Sequence, residues 1–85
     1  MEKSVFNEWL INEKKLTSKS ARDVVSRYVR VSSMLGSEPK SIQEIDYLAD
    51  NDLFIDCTKT VKSQLRRAIR LYIEYLEVTH GERKQ

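Results

Sequence analysis

The sequence predicts an all-α fold: helix breakers are scarce, apolar residues recur at helical spacing, and capping residues stand where the apolar runs begin and stop. Two glycines and one proline leave little punctuation, and 40% hydrophobic with 33% charged residues is a globular balance. At 85 residues the chain reads as one domain, burying roughly 60 to 65% of the surface its unfolded form exposes. The expected architecture is a compact bundle of four helices over about 5–13, 18–35, 42–51 and 58–79.

The first helix follows Ser4 and carries Val5, Phe6, Trp9 and Leu10 along one face. Leu16 then precedes Thr17, Ser18 and Ser20, any of which can cap the second helix, and Ser20 with Asp23 fits a capping box. At about 100° per residue, Ala21, Val24, Val25, Tyr28, Val31 and Leu35 share one sector, with Lys19, Arg22, Ser26, Arg30 and Ser33 opposite. Gly36 offers a left-handed stop and Pro39 bars continuation, so 36–40 is a connector.

Ser41 and Glu44 match a second capping box ahead of Ile42, Ile45 and Leu48, the apolar row of a short third helix. Residues 52–57 read as a loop turning Leu53, Phe54 and Ile55 inward; a strand fits so short an apolar run, but would have no partner. The last helix begins near Thr58 and buries Val61, Leu65, Ala68, Ile69, Leu71, Tyr72, Tyr75, Leu76 and Val78, with Gly81 as its C-terminal cap. The polar residues 81–85 are expected to fray.

Composition excludes several functions. Cys57 has no cysteine partner, and only His80 could join it as a nitrogen ligand, so a structural zinc site is not expected, nor is any other cofactor. No apolar run approaches the roughly 18 residues of a membrane span or a signal peptide's core, which assigns the chain to the reducing cytoplasm, with no membrane partner and no small-molecule substrate. Tyr28, Tyr72 and Tyr75 lie on apolar rows, and no general base accompanies them or Tyr47, so no catalytic residue is assigned.

The net charge of +2 is too small to announce a polyanion, so its distribution has to be examined. Residues 18–35 hold Lys19, Arg22, Arg27 and Arg30 against Asp23 alone, and residues 58–70 hold Lys59, Lys62, Arg66, Arg67 and Arg70 with no acid. The acids gather in Glu8 and Glu13 and in Glu38, Glu44, Asp46, Asp50, Asp52 and Asp56. Cations on one surface release condensed counterions when they meet phosphates, and Ser18, Ser20, Ser26, Thr60 and Ser63 can donate to the same oxygens. Arg66 and Arg67 could instead make forked contacts to guanine in a major groove.

The short aromatic helix (Phe6, Trp9, Leu10), the lead-in Leu16, Thr17, Ser18, the long helix with Tyr28, the short third helix and the closing run VKSQLRRAIRLYIEYLE resemble the core-binding domain of phage integrases and other tyrosine recombinases. The likeness spans residues 4–79 and rests on apolar spacing. It implies a SAM-like orthogonal bundle that closes over one side of duplex DNA, with a separate catalytic domain, in the same chain or another, on the opposite side. By that implication, together with the basic faces, the contacts are Lys19, Arg22, Ser26, Arg30, Lys59, Lys62, Ser63, Arg66, Arg67 and Arg70. The family's arginine-histidine-arginine set and tyrosine nucleophile have no counterpart; His80 and Arg83 match one spacing only, so the chain is expected to bind rather than catalyse. The competing expectation is a protein-interaction or dimerisation domain, with Val61, Leu65, Ala68, Tyr72 and Tyr75 as a coiled-coil seam and Leu71 and Val78 extending an apolar strip.

Overall fold

Thr17 starts the best-defined helix: its Oγ1 accepts from Ser20 N at 3.1 Å, satisfying one of the donors that a helix start leaves without a partner. The helix is α2 (Ser18–Leu35), and around it the computed structural model places α1 (Lys3–Glu13), α3 (Glu44–Ala49), α4 (Asp52–Ile55) and α5 (Lys59–Gly81). The structure describes residues 3–41 and 43–81, with only the backbone of 80 and 81, and among these residues there is no strand. The expectations for Ile42, for the tail 82–85 and for the side chains of His80 and Arg83 lie outside the described residues.

α2 is the spine, packing against α1, α3 and α5. Its inward sector is as expected for Ala21, Val24, Tyr28 and Val31, all buried, while Val25 and Leu35 are half-buried. Gly36 ends the helix at φ 78°, donating its amide to Ser32 O at 2.9 Å. A Cβ there would meet no atom within 4 Å, so Gly36→Ala tests backbone strain alone. It is expected to destabilise by about 1 kcal/mol, read as a lower urea midpoint with an unchanged slope.

The core centres on Phe6. It is fully buried, with its ring centroid 5.3 Å from Tyr72, 5.2 Å from Tyr75, 5.9 Å from Tyr28 and 6.4 Å from Trp9. Three helices therefore meet in one aromatic cluster, to which Leu10, Leu48, Leu65 and Ile69 add fully buried aliphatic bulk. The Cα radius of gyration, 12.8 Å, is close to the roughly 12 Å expected of a packed chain this long.

Tyr28 also ties the connector to the core, because its hydroxyl donates to Glu38 Oε1 at 2.7 Å. Burial first, then that hydrogen bond, pushes the Tyr28 hydroxyl above its ordinary range and keeps it a donor. The donated proton holds the Glu38 carboxyl below the usual carboxylate range. A folded-state carboxyl pKa below the unfolded one stabilises the fold at pH above the unfolded value, near 4.5, and that contribution fades as pH falls through the folded value. Tyr28→Phe is therefore expected to flatten the stability profile below about pH 4.5, measured by urea midpoints across acid pH.

Several expectations need correction. α1 begins at Lys3 rather than near Val5, and Val5 is 47% exposed because it lies off the face that carries Phe6 and Leu10. The Ser20–Asp23 capping box does not form, since Thr17 holds the Ser20 amide. The third helix is shorter than 42–51; the Glu44 amide bonds Ser41 O, and Gln43 occupies the cap position without a side-chain bond. Residues 52–55 are a helical turn, not a loop, because Asn51 Oδ1 accepts from Leu53 N and Phe54 N. One turn can bury one side chain: Phe54 is inside, while Leu53 is 63% and Ile55 50% exposed. α5 runs through Gly81 rather than stopping before it, Val78 is exposed, and Ile73 is buried though no row claimed it.

Candidate nucleic-acid interface

Helical spacing places Lys59, Ser63, Arg66 and Arg70 in one stripe along α5, each one turn beyond the last, with Arg67 beside it. Thr58 fixes the start of the stripe, its Oγ1 accepting from Val61 N at 3.2 Å. Lys59, Ser63, Arg67 and Arg70 are exposed; Lys62 and Arg66 are half-buried because they lean over a neighbouring ring. That ring is Phe54, with Lys62 Nζ 5.8 Å and Arg66 Cζ 5.3 Å from its centroid. The aromatic face attracts both cations and restricts their rotamers.

Arg30 reaches the same turn from α2: its Nη2 lies 3.5 Å from Cys57 Sγ, which itself donates to Leu53 O at 3.3 Å. The turn of α4 therefore gathers Arg30, Lys62 and Arg66 from two helices that are far apart in sequence. Asn51 fixes this turn against α2 by donating from Nδ2 to Met34 O at 2.8 Å.

The other α2 residues do not join that group. Lys19, Arg22 and Ser26 are exposed, and Arg22 stands eight residues before Arg30, about 12 Å along the helix axis. Arg22 instead lines an open cleft of about 400 Å³ between α1 and α2, together with Lys3, Ser4, Asn7, Ser18 and Val25. Lys3, Ser4 and Asn7 are not legible as site residues in the sequence, and no local pattern marks them, since the helix crossing brings them to Arg22.

None of the eight candidate cations pairs with a carboxylate among the described residues; the ion pair found there is Lys14 Nζ to Glu74 Oε2, 2.6 Å, where the α5 stripe turns acidic. Asp52 and Asp56 flank the α4 turn, both exposed and neither in an ion pair with a described residue. Like charges a turn apart on α5 repel, and lysines in its first turn oppose the helix dipole, each at a few tenths of a kcal/mol. An anion laid along the stripe reverses the sign of both effects.

Of the row assigned to the interaction alternative, Leu65, Ala68, Tyr72 and Tyr75 are buried in this chain's own core and Leu71 is 8% exposed, while Val61 is half-buried and Val78 is 44% exposed. No helix among the described residues is long and apolar enough to cross a membrane, and no group of three or more potential metal-ligating side chains occurs among them. In comparisons with known proteins, the chain matches no family model, no curated protein and no solved structure.

Proposed function

We propose that this chain is a non-catalytic, duplex-DNA-binding module of the kind its helix order resembles, the SAM-like core-binding domain of phage integrases. It grips phosphates and groove edges through the outer faces of α2 and α5 and works in the cytoplasm beside a catalytic recombinase domain in the same chain or another. The observation that carries the reading is the set of cations with no carboxylate partner among the described residues, three of them drawn from both helices to the α4 turn and the Cys57 that follows it. The contacts to Phe54 account for Lys62 and Arg66 within the fold, whereas Lys59, Arg67 and Arg70 add like-charge repulsion to α5 with no described partner.

In this reading Lys59, Ser63 and Arg70 follow one strand's phosphates, while Arg66 and Arg67 reach toward base edges. Lys19, Arg22, Ser26 and Arg30 extend the contact along α2. The test is binding to duplexes of 20 to 30 base pairs that differ in sequence. Arg66→Ala is expected to weaken every duplex alike if Arg66 meets phosphate, and to cost about 1 to 3 kcal/mol with relaxed preference at one position if it reads a base. An affinity that Arg66→Ala leaves untouched on all duplexes removes Arg66 from the interface.

A further inference from the structure

We infer that the cleft between α1 and α2 is a phosphate-binding subsite, in which Lys3 and Arg22 hold the anion and Ser4, Ser18 and Asn7 complete its hydrogen bonds. Among the described residues, the six that line it include two cations, two hydroxyls and a carboxamide, with no carboxylate, and Val25 is the one apolar wall. Such a lining is suited to a compact, multiply charged oxyanion. Arg22 offers a planar fork for two oxygens, Lys3 a mobile point charge, and the hydroxyls can rotate to donate.

Position on the fold adds to this. Ser18 is the first residue of α2, and the Thr17 side chain occupies the Ser20 amide but no described hydrogen bond occupies the Ser18 or Lys19 amides at the same edge. At about 400 Å³ the cleft is larger than one phosphate and has space for the attached sugar, which would rest against Val25. The chemistry is thus that of a sugar phosphate. Its source as a DNA backbone rests on the reading above; the phosphate chemistry does not.

If the source is DNA, the cleft acts as an anchor that sets where α5 lies. Amide-resolved NMR titration of the full chain tests this with three probes: inorganic phosphate, a deoxynucleoside 5′-monophosphate and a 20 base-pair duplex. Shifts at Asn7, Ser18, Lys19 and Arg22 are expected with the monophosphate and the duplex. Lys3→Ala with Arg22→Ala is expected to abolish the monophosphate response, weaken duplex binding about 10-fold and lower the salt slope by about 1.8. Both residues lie at the surface, so an unchanged melting temperature is the folding control, and Lys3→Arg alone, which keeps the charge and the Arg22 fork, should retain most of the affinity.

A cleft silent to all three probes overturns the subsite, as does a monophosphate response that the double alanine variant leaves intact. The DNA reading survives either result provided that Arg66→Ala still weakens the duplex complex. Conversely, a cleft that answers the monophosphate in a chain that binds no duplex upholds the subsite with a small sugar phosphate as its ligand and overturns the DNA reading. A response to inorganic phosphate alone, absent with the sugar phosphate, rejects the sugar-accommodating geometry and with it the proposal.

Discussion

Phe6→Ala is expected to remove about 3 to 5 kcal/mol of stability, enough to leave the chain marginal or unfolded at 25 °C. The ring is fully buried and is the one aromatic ring of α1 paired with rings of both α2 and α5, so its loss opens a cavity shared by three helices. Total stability for a chain of this length is about 4 to 13 kcal/mol, and a loss of that size takes much of it. Urea denaturation followed by far-ultraviolet circular dichroism provides the measurement. Val5→Ala, one residue away and 47% exposed, is the control and should stay within about 0.5 kcal/mol of the parent. A loss below about 1 kcal/mol at Phe6 would mean that the aromatic cluster does not organise the core.

The second large effect concerns binding. Replacing Arg66, Arg67 and Arg70 together by alanine removes three cations from one face of α5 and is expected to weaken duplex affinity on the order of 100-fold at low salt. The salt slope should shrink by about 2.7, roughly 0.9 for each phosphate no longer neutralised. The folded state should lose about 0.5 to 1 kcal/mol with the Arg66 contact to the Phe54 ring, while Arg67 and Arg70 are exposed and pair with no described carboxylate. Anisotropy of a labelled duplex, with melting temperature measured alongside, separates weakened binding from unfolding.

Which features were legible in the sequence follows from how local their causes are. α2 has the bounds its sequence suggests because Thr17 and Gly36 bracket a two-faced pattern, and both act within a few residues. The α4 turn is not legible because its cause is one side chain, Asn51 Oδ1 on two amides, while the run Leu53, Phe54, Ile55 carries no periodicity to distinguish turn from loop. Ile73 escapes because the second half of α5 is apolar around most of its circumference, where a face can no longer be assigned by spacing. Gly81 reads as a stop, yet a glycine at a helix end continues the helix wherever the backbone stays right-handed.

The same division runs through the interface. The stripe on α5 can be written down from spacing, since the backbone of one helix fixes it. Arg30 on Cys57, Lys62 and Arg66 over Phe54, and Lys3 in one cleft with Arg22 depend on how helices cross, which no single segment encodes. Lys19 and Arg22, grouped by sequence with Arg30, belong to the other end of α2.

Whether the cations of α2 and α5 act together on duplex DNA is measured most directly by the dependence of binding on salt. Titrating a labelled 25 base-pair duplex between about 50 and 200 mM monovalent salt should give a straight line of log affinity against log salt, with a slope near −4 to −6 as roughly five or six phosphates are neutralised. A slope near zero, or no complex at the lowest salt, would contradict joint action of the two helices.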